Sequence, residues 1–518
     1  MIQTNPTTTA SWKKLENHFQ EINTLHLKKL FKNNEKRAKY FHIDVDNLVF
    51  DFSKNRITDH TLDLLIELAK EQGLAQHIED LFTGKKINAT ENRAVLHTAL
   101  RSFNDEKITV DGEAVFPLID EARKKLKDFT EKVISGMWKG YSGKAITDIV
   151  NIGIGGSDLG PQMIVEALDF YKNHLNTHYI SNVDGDATHK ILNKLNPETT
   201  LFIVVSKTFT TIETLTNAQT CKNWLLKKTS KESVKHHFIA VSTNHEAVEQ
   251  FGIDATNTFP MWDWVGGRFS MWSSVGISIA LSLGYTGFEA LLKGANSADQ
   301  HFRNTEFSKN IPVIMGLLSI WYINFFKIKS EVILPYAEAL NKLVPYLQQL
   351  FMESNGKSID KNGDQVNYTT GAVIFGSTGS NSQHSFMQHI HQGTQLIPAD
   401  FIGFSKSLYN DEKHHNILMA NFKAQQDALM QGKSKESVHL AMKFKGNTGQ
   451  INKLLPFKVF AGNRVSNSFL FDQLTPYNLG QLIAFYEHKV FVQGIIWNIN
   501  SFDQFGVELG KEMANKNL

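Results

Sequence analysis

The sequence predicts an α/β fold of two units, each a largely parallel sheet flanked by helices, with a helical N-terminal segment packed on the second unit. Three observations predict it. Short β-branched runs at 145–152, 200–205 and 237–241 alternate with helix-forming stretches, as in a parallel sheet with helical crossovers. The alternation returns after residue 300, with strand-like runs at Val332 to Leu334 and Ala372 to Phe375. Residues 11–110 instead carry apolar side chains at helical spacing, first around Leu62, Leu64, Leu65, Ile66 and Leu68, then around Ala94, Leu96, His97, Ala99 and Leu100. The expected division is 1–114, 115–285 and 286–518, with the main boundary near Gly284.

Length and composition agree with this architecture. A chain of 518 residues is too long for one simple core. Lys plus Arg number 54 against 52 Asp plus Glu, a near-balance that argues against a protein coating nucleic acid. The single cysteine, Cys221, allows no disulfide within the chain and suits a reducing compartment. Met1 to Pro6 shows no basic region followed by an apolar run, so no signal peptide is expected. The apolar patch around Ile311 to Phe326 is broken by Ser319 and Asn324 and reads as a buried helix rather than a membrane span. A cytoplasmic location is the expectation.

In open parallel sheets ligands bind beyond the carboxyl ends of the strands, so the segments that follow each run hold the candidate chemistry. Gly153 to Gly160 reads GIGGSDLG. A dinucleotide fingerprint fails there, because Asp158 stands at the third glycine position. A small-anion site and a plain tight turn both remain open. Ser206-Lys207-Thr208-Phe209-Thr210-Thr211 places several hydroxyls and one ammonium before a helix, which suits a phosphate dianion better than capping alone. Arg268 follows a Gly266-Gly267 pair and could face a developing oxyanion, although most arginines simply pair at the surface. Gln349 and Glu353 share one helix face if the helix continues, and Glu353 is either a proton-transfer base or a solvated carboxylate. His384 is a candidate proton carrier. His384, His389, His391, His414 and His415 lack the spacing and acidic partner of a familiar metal site, so no metal is expected. Nothing local distinguishes Lys511 from an ordinary solvated lysine.

Together and in this order, the segments resemble the glucose-6-phosphate isomerase family over almost the whole chain. DWVGGRFSMWSSVG at 263–276 and GIIWNINSFDQFGVELGK at 494–511 match that family's long signature patterns. NRAVLHTALR at 92–101, GIGGSDLG, SKTFTT at 206–211, MESNGK at 352–357, QHSF at 383–386, HQGT at 391–394 and GNRVSNS at 462–468 extend the match. The resemblance implies paired sugar-isomerase-type (SIS) domains in a homodimer that acts on a sugar phosphate without a cofactor. It implies a phosphate cradle of Ser206, Lys207, Thr208 and Thr211, with Ser157, Gln349, Gly267 and Gln504 as further substrate contacts. It also implies Glu353 as the base between C1 and C2, Arg268 as the enediolate stabiliser, and His384 with Lys511 as the ring-opening pair. In the family that histidine comes from the neighbouring subunit.

The histidine loop departs from the family pattern. Ser377-Thr378 replace a usual Glu-Pro, and Ser382 replaces a glycine. A required positive φ would strain Ser382 by about 1 kcal/mol or more. Two rival readings share the cradle: an isomerase acting on mannose 6-phosphate, and a sugar-phosphate sensor. A sensor has no need for Arg268, Glu353, His384 and Lys511 together.

Overall fold

The computed structural model describes residues 4–104, 106–444 and 451–517. Met1 to Gln3, part of the segment read above for a leader, lie outside the described residues.

Two sheets organise the chain. The first has five parallel strands in the order Asn176–Ile180, Asp148–Ile152, Thr200–Val205, Phe238–Val241 and Thr258–Phe259. Its central strands are apolar on both faces, as a sheet covered on both sides requires. Ile149, Leu201, Ile203 and Ile239 join the main core, while Val150, Phe202, Val204 and Phe238 pack into a separate cluster on the opposite face. The strand expected from residue 145 starts at Asp148, three residues inside the β-branched run.

The second sheet has six strands in the order His42–Val45, Leu48–Lys54, Ser466–Phe471, Ala399–Phe404, Ser330–Pro335 and Val373–Gly376. Its last four strands are parallel. Leu48–Lys54 runs antiparallel to both of its neighbours. The N-terminal segment carries the helices Ala10–Ile22, Asp59–Glu71 and Leu74–Phe82, and between them it contributes the two antiparallel strands. The helical spacing around Ala94 to Leu100 does not produce a helix beyond the short turn Ala99–Arg101. This stretch is buried on all sides and Leu96 N donates to Trp264 O at 3.0 Å, so its apolar pattern reflects enclosure rather than one helical face.

Two long helices, Ile277–Asn304 and Pro476–Ile496, pack against each other and make the most extensive helix–helix contact among the described residues. Gly284, near the expected boundary, is a kink inside the first of them, with φ 75°. The run Ser274–Asn304 is long and apolar enough to cross a membrane by length and composition, but it is largely buried within the protein. Ile311–Ile320 and the π-helical turn Trp321–Phe325 are buried throughout, as expected for that apolar patch.

Charges deep inside this helical layer are paired. Arg101 gives Nε and Nη2 to the two carboxylate oxygens of Asp299, both at 2.7 Å, and its Nη1 to Glu487. Trp272 Nε1 donates to the other Glu487 oxygen at 2.8 Å, and His488 Nε2 bonds Asp299 at 2.6 Å. These partners satisfy ions that burial would otherwise make prohibitive. The network ties the segment after residue 92 to both long helices.

Candidate active site

The carboxyl edge of the first sheet gathers the expected loops. After Asp148–Ile152 the chain makes a turn at Gly155–Ser157 and enters the helix Leu159–Ala167. Buried Asn151 donates its side-chain N–H to Ser157 O at 3.1 Å, so the strand end holds the turn in place. Gly156 is where this turn meets the Gly266-Gly267 segment. A Cβ there would lie 2.1 Å from Gly267 O and 2.8 Å from Arg268 N, so only glycine permits the approach.

After Thr200–Val205 the Ser206 to Thr211 loop leads into the helix Ile212–Leu226. Ser206 Oγ donates to Thr211 Oγ1 at 3.3 Å, and the hydroxyls of Thr208 and Thr210 lie 2.7 Å apart. Phe209 is buried and takes φ 52°, a left-handed conformation unusual for a bulky side chain. That turn leaves Thr208 and Thr210 exposed on either side of the buried ring. Lys207 Nζ donates to Asp263 O and Val265 O, both at 3.3 Å, and pairs with the Asp263 carboxylate at 3.3 Å. Burial lowers its ammonium pKa, with Asp263 opposing the shift. Thr243, just beyond the next strand, donates its hydroxyl to Lys207 O at 2.7 Å.

The second sheet supplies the carboxylate. Beyond Ser330–Pro335 the helix Leu343–Gln348 continues into a π-helical turn, Gln349–Glu353. Gln349 Nε2 donates to Glu353 Oε2 at 3.2 Å, which places both on the face expected from their spacing. Arg268 Nη1 donates to Glu353 Oε1 at 2.8 Å and to Gln504 Oε1 at 3.0 Å. Arg268 Nε donates to Ser354 Oγ at 2.7 Å, and Nη2 donates to Ser501 O at 2.6 Å and Asp503 O at 3.3 Å. Burial lowers the arginine's pKa, Glu353 opposes the shift, and the group remains a cation at any physiological pH.

Several residues in this frame were not singled out from the sequence. Ser354, Ser501 and Asp503 hold Arg268, and Lys357 Nζ binds Glu353 O at 3.0 Å, Ser354 O at 3.1 Å and Asp503 O at 2.9 Å. All four fall inside the MESNGK and GIIWNINSFDQFGVELGK segments, so their motif membership was the available signal. His97 is another: its ring stacks on Phe269, with centroids 4.7 Å apart.

Two expected residues stand apart from this group. His384 caps the short helix Gly379–Gln383 and is exposed, as is Lys511 on the C-terminal helix Glu508–Asn517. Among the described residues neither makes a hydrogen bond or ion pair to Arg268 or Glu353. Ser382 is helical and buried, and its Oγ donates to Gly379 O at 2.5 Å, so the positive φ considered above does not arise. Thr378 donates its hydroxyl to Glu338 at 2.8 Å. Among the described residues no group of three or more His, Cys, Asp and Glu is arranged to hold a metal ion.

Fold and site together define an α/β protein whose first sheet ends in a hydroxyl-and-ammonium loop and whose buried guanidinium, Arg268, joins that half to the carboxylate Glu353 of the second. The family model for phosphoglucose isomerase matches residues 51–518, and the chain belongs to the phosphoglucose isomerase family. It is 56% identical to the glucose-6-phosphate isomerase of Christiangramia forsetii, over the whole chain and 96% of the relative. It is 53% identical to that of Buchnera aphidicola subsp. Schizaphis graminum, over 98% of the chain and 92% of the relative. A solved glucose-6-phosphate isomerase from Chlamydia trachomatis superposes with a TM-score of 0.87 at 31% identity, covering 99% of this chain and 96% of that one.

Proposed function

We propose that this protein is an aldose–ketose isomerase that interconverts D-glucose 6-phosphate and D-fructose 6-phosphate, serving glycolysis and gluconeogenesis without metal or nicotinamide. The observation that carries the reading is the Glu353–Arg268 contact at 2.8 Å. In this reading Ser206, Lys207, Thr208 and Thr211 hold the phosphate, which fixes the sugar's orientation far from the reacting carbons. Ser157, Gly267, Gln349 and Gln504 border the sugar.

The ring opens when a proton leaves O1 and another reaches O5, the work assigned to His384 with Lys511. Glu353 then takes the proton from C2. The C2–H electron pair becomes the C1–C2 double bond, and charge collects on the enediolate oxygens near Arg268. A permanent buried cation lowers that barrier because its surroundings need no rearrangement at the moment of reaction. Transfer of the O2 hydroxyl proton to O1, with return of the carbon-bound proton from Glu353 to C1, completes the ketose.

The active form in this proposal is a cytoplasmic homodimer in which each site receives His384 from the partner copy. The exposure of His384, which makes no hydrogen bond or ion pair to Arg268 or Glu353 among the described residues, supports that arrangement. The test is a coupled assay of fructose 6-phosphate conversion on chelator-treated protein with no cofactor added to the isomerisation step. Robust turnover supports the proposal. Sugar-phosphate binding without turnover would favour a sensor instead.

A further inference from the structure

Ser206 to Phe209 form a closed turn, with Phe209 N donating to Ser206 O at 3.2 Å. That bond leaves the carbonyls of the two central residues, Lys207 and Thr208, without a partner inside the turn. Both are taken up by the segment that follows the strand Phe238–Val241. Lys207 O accepts from Thr243 N at 2.9 Å, Thr243 Oγ1 at 2.7 Å and Ser242 Oγ at 3.0 Å. Thr208 O accepts from Asn244 Nδ2 at 3.1 Å. Ser242 Oγ also accepts from Asn244 N at 3.1 Å, which ties the three residues together. The helix His245–Phe251 continues from them, capped by Asn244 Oδ1 on Ala247 N at 3.1 Å. Its last residue packs edge-on against the buried Phe209 ring, with centroids 5.8 Å apart. One segment thus grips the turn at both central carbonyls and at its buried side chain.

A main-chain carbonyl has two lone pairs, so three donors on Lys207 O are more than its satisfaction requires. In a trans peptide the N–H points opposite to the C=O that shares its plane. Lys207 O faces Ser242 and Thr243, so Thr208 N–H points to the other side of the turn, and it makes no hydrogen bond among the described residues. Donors on the carbonyl also polarise the peptide, which strengthens that N–H. We propose that Ser242, Thr243 and Asn244 are positioning residues for the substrate phosphate. They hold the Lys207–Thr208 peptide so that its N–H donates to a phosphate oxygen. This role rests on the Ser206 to Thr211 loop being the phosphate cradle.

Calorimetric titration of the full chain with inorganic phosphate, which needs no turnover, tests this. Thr243→Val keeps the side-chain shape and the backbone donor, removes one hydroxyl donor, and should raise the phosphate Kd about threefold or more. Ser242→Ala combined with Thr243→Val should raise it further, and Thr243→Ser should return it close to the parental value. Asn244→Ser keeps a helix-capping oxygen, removes the donor to Thr208 O, and should weaken phosphate as well. In the isomerase assay the KM for fructose 6-phosphate should rise with the phosphate Kd, while kcat falls by less. A merely structural defect would instead lower the active fraction and leave KM and Kd where they were. Absence of phosphate binding by the parent up to about 50 mM would overturn the cradle and this role with it. Phosphate binding by the parent with an equal Kd in the double variant, or a Kd raised as much by Thr243→Ser as by Thr243→Val, would overturn the positioning role alone.

Discussion

Glu353 and Arg268 meet through one hydrogen bond of 2.8 Å, and their exposures are unequal: the arginine side chain is 1% exposed and the carboxylate 23%. Arg268 is fixed by four further acceptors, whereas Glu353 has its second oxygen on Gln349 alone. The cation is the static member of the pair. The carboxylate is the one free to turn toward a substrate.

Glu353→Gln should therefore leave sugar-phosphate affinity within a few-fold of the parent and lower kcat by about 10³ or more, since the amide cannot accept the C2 proton. Steady-state kinetics together with equilibrium binding of fructose 6-phosphate checks this. Near-normal turnover would remove Glu353 from the mechanism.

The Gly156 and Gly267 contact predicts different routes to lost activity for the same chemical change. Gly156→Ala forces its methyl into the Gly267 carbonyl and should displace Arg268, lowering kcat/KM by about 10²-fold or more. Gly267→Ala places its methyl where nothing lies within 4 Å, so the fold should be kept and KM should rise as the methyl meets the sugar. Comparing kcat and KM for the two variants alongside their thermal unfolding separates these effects.

Shared sites between subunits can be tested by mixing. Glu353→Gln and His384→Ala should each be nearly inactive alone. If His384 serves the neighbouring site, co-refolding equal amounts should restore about one quarter of parental activity, because half the dimers are mixed and each mixed dimer has one intact site. Activity that stays at the level of the separate variants would assign His384 to its own chain's site.

Asp158 gives a pH-dependent prediction. It is 4% exposed and its Oδ1 receives no hydrogen bond. Burial raises its carboxyl to about 6. The folded protein thus binds this proton more tightly than the unfolded chain, so the contribution favours folding at low pH and is lost as pH rises from about 4 through 6. Asp158→Asn should stabilise the protein by about 1–3 kcal/mol near pH 8, with the gain vanishing near pH 4. Thermal unfolding at the two pH values reads the difference.

The parallel strands were legible because their signal is local. Thr200–Val205 is buried on both faces and its sequence is an unbroken apolar run after the first threonine. The antiparallel strands His42–Val45 and Leu48–Lys54 were not read, since Asp44, Asn47, Asp51 and Lys54 interrupt the apolar pattern with polar groups, some of which pair within their own strand. Asp51, for example, accepts from Ser53 N at 2.7 Å and pairs with Lys54 at 3.3 Å. Within the candidate site, Gln349 and Glu353 followed from helical spacing. The supports Ser354, Ser501 and Lys357 depend on where distant segments meet, and no local pattern carries that information.

The pairing of Leu48–Lys54 with Ser466–Phe471 also bears on how the chain is made. Asn55 donates to Asn467 at 2.7 Å across 412 positions of sequence, so this edge of the sheet has no partner until synthesis is almost finished. The first sheet can close on the ribosome while the early hairpin waits with an unpaired edge, the state most open to mispairing between nascent chains. Yield of active enzyme in the cell should accordingly depend on chaperone supply during translation more steeply than the stability of the finished protein suggests.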